Sequence, residues 1–135
     1  MATPAVRPTG GRINFCGRAI DAFWSAVSAR SGLPPDHILF VSDGMRPHLY
    51  NASTIQFTTG SYADQMRRYF MDHAGQNGFD VMNLHPRFSE HFATNRRNFE
   101  LQTGNHWNTL GHELCQEAIS QSALYKRFST LTLPQ

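Results

Sequence analysis

Two short apolar runs limit what this chain can build. Residues 37–43 read His-Ile-Leu-Phe-Val-Ser-Asp, with four consecutive apolar side chains from Ile38 to Val41. An unbroken run of that length suits a strand covered on both faces, as in a parallel sheet. Residues 79–84 alternate at Phe79 and Val81, with Met82 and Leu84 in the other phase, and read as a second strand. The remaining periodic stretches read as helix, and helices alternating with buried-type strands predict an α/β layer. Two strands make an incomplete sheet with open edges. The chain therefore looks like one half of a doubly wound domain, completed by a missing half or by a partner subunit.

The helical stretches are legible from their spacing and their stops. Ile20, Phe23, Trp24 and Val27 recur at helical period and predict a helix over 17–30. Gly32 suits a left-handed cap, and Pro34 and Pro35 forbid continuation. Ser61 to Asp64 has the form of a capping box. It opens a helix reaching about Gln76 with Met66, Tyr69 and Phe70 turned inward, ended by Gly78 at positive φ. Residues 85–105 read as a long irregular segment with one helical turn near Phe88 to Phe92. From Thr109 to about Tyr125 the pattern is helical again, through Leu110, Leu114, Cys115, Ala118 and Ile119, with Asn108 or Thr109 as cap. Residues 1–10 read as a disordered lead-in, 11–128 as a single α/β domain, and 129–135 as a tail, either a short edge strand or disordered.

Several function classes fall away. The 135 residues carry a formal net charge of +2 and no Lys/Arg run longer than a pair, so no nucleic-acid partner is expected. No stretch of apolar residues is long enough to span a membrane, and the first twelve residues lack the apolar core of a secretory signal. Cys16 and Cys115 fit no zinc or redox spacing, and Cys115 falls on an apolar helix face, where a buried free thiol is expected. Asn51-Ala52-Ser53 matches the glycosylation triplet, a match expected by chance. No cofactor motif is present.

Active sites of open α/β sheets gather at the carboxyl ends of the strands. Asp43, Arg46 and His48 follow the first strand, and Asn83, His85 and Arg87 follow the second, with His106, Trp107 and Asn108 further on. Ser42 lacks the flanking glycine of a strained nucleophile turn. His106 and His112 stand six apart, as do His85 and His91, which does not place either pair on one helical face. A zinc site from His48, His85 and His106 has no spacing to support it. His106, just before a strong helix and next to Trp107, is well mounted for a general base. On pattern alone the simpler reading is an ordinary polar loop before the helix, in which Trp107 plugs the core.

The segment His106-Trp107-Asn108-Thr109-Leu110-Gly111-His112, continuing through Ile119, resembles the C-terminal block of the SGNH (GDSL-type) hydrolases. Residues 33–50 and 60–88 are similar to the late strand–helix–strand portion of bacterial members, so the likeness spans 11–122. It implies a partial flavodoxin-like three-layer α/β sandwich and a serine ester hydrolase or acyl esterase, acting on a small-molecule ester or an acylated carbohydrate. In that chemistry a Ser attacks the ester carbonyl and a His takes its proton. The resemblance gives His106 the role of base. Trp107, Asn108 and Gly111 are read as serving loop and helix geometry, and Asp43 and Arg46, after the first strand, as lining the pocket, the alternative being that Asp43 simply caps the loop that follows its strand.

Two departures accompany the likeness. The Gly-Asp-Ser nucleophile block and the Gly and Asn oxyanion blocks belong to the family's N-terminal half, and the chain has none of them. The Asp that usually stands two or three residues before the His is replaced by Gly104 and Thr103, and the nearest upstream carboxylate is Glu100. The chain alone is thus expected to be inactive. The alternative is a non-catalytic module, a homodimer or a partner-binding unit, that uses an open sheet edge.

Overall fold

The computed structural model describes residues 10–44, 49–50, 59–104 and 106–131. Arg46, His48, the Asn51-Ala52-Ser53 triplet, residues 1–9 of the lead-in and residues 132–135 of the tail lie outside the described residues. Chain order is α1 (Gly10–Arg30), β1 (Leu39–Ser42), α2 (Tyr62–Gln76), β2 (Asp80–Asn83), α3 (His85–Asn95), α4 (Thr109–Gln121) and α5 (Ala123–Leu131). No helix is long and apolar enough to cross a membrane.

The strands pair in parallel, with Leu39 opposite Asp80, Phe40 opposite Val81, Val41 opposite Met82 and Ser42 opposite Asn83. Side chains alternate across a strand, so each strand feeds two faces. On one face Phe40 and Val81 meet α1 and α2, around buried Trp24, Ala74 and Phe79. The Trp24 ring lies 4.5 Å from Phe70, 4.7 Å from Phe40 and 5.1 Å from Phe79, centroid to centroid. On the other face Met82 packs against a cluster that includes Leu84, Phe88, Phe99, Leu114, Cys115 and Ala118. Helices therefore cover both faces of a two-stranded parallel sheet, which is the expected α/β layer. The cover on the second face is partial, since Val41 remains 37% exposed.

The capping box is present in its Ser61 half, while Asp64 reaches back past the cap's own N–H to that of Gly60. The Ser61 hydroxyl accepts from Asp64 N–H at 3.2 Å, and the Asp64 carboxylate accepts from Gly60 N–H at 3.0 Å. Gly32 and Gly78 hold positive φ at the two expected stops. The helix expected over 17–30 begins earlier, at Gly10.

Two expectations need correction. Most of the segment read as irregular over 85–105 is the eleven-residue helix α3. Pro86 sits in its first turn, where a missing N–H costs nothing, rather than acting as a breaker. Phe88 and Phe92 are one turn apart and share the face that meets the core. The helix stops at Arg96, which takes the left-handed conformation at φ 53° although it is not glycine. Second, residues 129–131, read as the start of the tail, are helical, and the helix expected from Thr109 to about Tyr125 is two helices. It breaks at Ser122, whose ψ of 151° is extended, and resumes as α5 with the Ser122 hydroxyl accepting from Tyr125 N–H. Arg127 then ties α5 to Asp36 in the turn before β1.

Candidate functional site

His106 lies in a tight return between α3 and α4. Glu100 and Trp107 form an isolated antiparallel bridge. Leu101 N–H donates to the His106 carbonyl at 3.0 Å, and Asn108 N–H donates to the Phe99 carbonyl at 2.8 Å. The backbone on both sides of His106 is thus pinned by a short two-stranded ladder.

Asn108 closes the base of this ladder and starts α4. Its Oδ1 accepts from Gly111 N–H at 3.0 Å, the N-cap bond. Its Nδ2 donates to the carbonyls of Asn98 at 2.8 Å and Glu100 at 3.2 Å. One amide side chain therefore satisfies a helix terminus and two strand carbonyls together. Trp107 plugs the core as expected, edge-on to Phe88 at 5.9 Å. Its indole N–H is buried with no acceptor among the described residues, and the side chain contributes its ring.

The ladder register fixes which side chains share a side. Glu100 stands opposite Trp107 and Leu101 opposite His106, so Glu100 projects away from the imidazole. Glu100 is bound instead by Tyr50, whose hydroxyl donates to its Oε2 and accepts from Phe99 N–H at 3.1 Å. Tyr50 comes from the long segment after β1, and its ring sits edge-on to Phe92 at 4.9 Å. His106 itself is exposed, beside Gly104 and the half-exposed Leu101. Its imidazole has no hydrogen bond or ion pair among the described residues.

The chain just past each strand meets its neighbour. Gly44, at φ 77°, is packed so closely on His85 that a Cβ there would lie 2.5 Å from the His85 Cβ. Leu84 N–H donates to the Ser42 carbonyl at 2.8 Å, and Asn83 Oδ1 accepts from His85 N–H at 3.1 Å. Asn83 and His85 thereby turn the chain from β2 into α3. Arg87 is occupied elsewhere, donating to the Leu114 carbonyl at 3.2 Å and Gln121 at 3.1 Å, which ties α3 to α4. Asp43 is half-buried just past β1. Neither it nor Ser42 is hydrogen-bonded to His106.

Among the described residues no three metal-ligating side chains come together. Both cysteines are free, and burial pushes the Cys115 thiol above its ordinary pKa. Comparison of the chain with protein-family models, with curated proteins and with solved structures gave no match.

Two polar groupings lay beyond the sequence. Tyr50 and Glu100 are fifty residues apart, and no local pattern joins them. The second is on the α1–α2 layer. There Asp21 pairs with His73 Nδ1 at 2.8 Å and accepts from the Tyr69 hydroxyl, and Tyr69 stacks on the His73 ring at 3.8 Å. Burial and the Asp21 charge together raise the Tyr69 phenol above its usual range. This cluster clasps two helices, and Tyr69 serves it rather than the apolar core.

Proposed function

We propose that the chain supplies the His-bearing, C-terminal part of an SGNH-type ester-hydrolase site. The observation that carries this reading is the mounting of His106. An exposed imidazole, unpaired among the described residues, is held by a backbone ladder directly before a capped helix. The helices on both faces of β1 and β2 support a partial flavodoxin-like three-layer sandwich, with further strands to be added at an open edge.

In this reading His106 takes the proton of a serine hydroxyl as it attacks the ester carbonyl, and returns it to the leaving alcohol. The serine and the oxyanion donors come from outside these residues. Asp43 and Arg46 line the pocket. The substrate is a small-molecule ester or an acylated carbohydrate. Among the described residues no carboxylate orients the imidazole, and the ladder holds its backbone. The chain by itself is inactive.

The test begins with the coding DNA before Met1, read in frame for a Gly-Asp-Ser segment. The extended polypeptide is then assayed on 4-nitrophenyl acetate. The reading expects hydrolysis that His106→Ala reduces by roughly 10³-fold or more, as loss of a triad histidine does. Hydrolysis indifferent to His106, or no such segment upstream, overturns it.

A second reading is favoured by the sheet itself. Each strand uses one edge for the other, Val41 is exposed, and α5 presents Tyr125, Phe128 and Leu131 at 50%, 54% and 82% exposure. Self-association through that surface is the alternative, and sedimentation of the purified chain distinguishes a dimer from a monomer.

A further inference from the structure

We propose that Tyr50 is a positioning residue for His106, acting through a phenol clamp on the opposite strand of the ladder. The Tyr50 hydroxyl faces two groups at once. It accepts from Phe99 N–H at 3.1 Å and donates to the Glu100 carboxylate. With Leu101 those two residues form the strand that holds the His106 return: Asn108 N–H donates to the Phe99 carbonyl, Asn108 Nδ2 donates to the Glu100 carbonyl, and Leu101 N–H donates to the His106 carbonyl. The clamp therefore fixes the outer strand, and the outer strand fixes the backbone of His106.

The arrangement suits this task for three reasons. The Tyr50 ring is seated between Phe92 and Phe99 in the core, so the hydroxyl has little freedom to swing. A hydrogen bond to a carboxylate is stronger than one between neutral groups. The clamp also bridges elements far apart in sequence, joining the segment after β1 to the return before α4. Only the meaning of His106 as a base rests on the reading proposed above; the clamp is a property of the folded chain and is tested without any hydrolysis.

The test is NMR on the intact chain, comparing wild type with Tyr50→Phe, which keeps the ring and removes the hydroxyl. Amide exchange is followed at Leu101 and Asn108, with Leu84 as the sheet reference. The His106 ring Hε1 resonance reports the imidazole. The proposal expects exchange at Leu101 and Asn108 to rise about ten-fold, the scale of one net hydrogen bond. It also expects the His106 signal to shift or broaden, with Leu84 unchanged. Glu100→Gln, which keeps an acceptor for the phenol, should stay within about two-fold of wild type. If Tyr50→Phe also loses protection at Leu84, Glu100→Ala replaces it, since that change removes the acceptor without touching the core.

Unchanged protection at Leu101 and Asn108 overturns the proposal. Lost protection with an unmoved His106 signal also overturns it, because Tyr50 would then be structural only. Failure of the ester-hydrolysis test leaves these spectra as they are, so the two claims fail separately.

Discussion

Gly111 and Trp107 are packed closer than any other residue at position 111 would allow. A Cβ built on Gly111 would stand 3.0 Å from the Trp107 Cβ and 2.9 Å from the Phe99 carbonyl oxygen. Gly111 is buried in the first turn of α4, and both obstacles belong to the ladder that carries His106. This contact explains why a glycine stands three residues after the Asn cap. The prediction concerns Gly111→Ala. Helix propensity alone favours alanine by about 1 kcal/mol. Overpacking of this kind costs about 1–3 kcal/mol, so a net loss of stability is expected. Urea unfolding of the variant should show a lower midpoint, and an unchanged or higher midpoint contradicts the contact.

Asn108 is expected to be the most sensitive polar side chain of the site. Asn108→Ala removes the cap, worth about 1–2 kcal/mol, and strips a donor from two strand carbonyls. Asn108→Asp separates these roles. The aspartate can still cap Gly111 N–H but has no N–H for the carbonyls of Asn98 and Glu100. It should recover much of the stability lost in the alanine variant while leaving Leu101 N–H in faster exchange. Equal exchange at Leu101 in wild type and the aspartate variant would remove the bridging role.

Asp64 gives the fold an acid-side pH dependence. Burial pulls its carboxyl pKa up, but Gly60 N–H, Arg67 and Arg68 outweigh that and hold it below its ordinary value of 3.8. A folded-state pKa below the unfolded value adds stability above the unfolded pKa, and this is lost as pH falls through the folded one. Wild type should exceed Asp64→Asn in urea midpoint at pH 7. The gap should close as pH falls below about 4, the ordinary carboxyl range. A gap that stays constant from pH 7 to pH 2.5 would assign the effect to the capping geometry alone.

Trp24 is wholly buried between α1, α2 and the strands. Trp24→Ala should cost about 3–5 kcal/mol, a large part of the stability of a domain of this size. Loss of the cooperative transition in circular dichroism melting is expected. A melting point within a few degrees of wild type would mean that α1 does not close the sheet.

The sequence made the strands, the capping box, the Asn108 cap and the buried Cys115 legible, because each depends on near neighbours and on apolar period. It hid α3 for a physical reason. Between His85 and Asn95 only Phe88, Phe92 and Ala93 are apolar, Pro86 is ambiguous between stop and start, and the helix ends on a left-handed arginine rather than glycine. Residues 123–131 mix Ser and Thr with Leu and Phe, which blurs strand and helix, and Arg127 settles it by reaching Asp36 across the fold. Of the candidate site, His106 and its cap were readable. The Tyr50–Glu100 clamp was not, since its partners meet only after the segment behind β1 folds onto α3. Arg87 stood among the candidates after the second strand and is bound to α4 instead.

The central claim is that these residues hold the base of an esterase site and not its nucleophile. Intact-mass spectrometry after treatment with a fluorophosphonate probe tests it directly, on the wild-type chain and on His106→Ala. The account predicts an unmodified mass for both proteins. A single adduct on the wild type that disappears in His106→Ala would put a working serine within these 135 residues, with Ser42 the first to test, and would contradict the account.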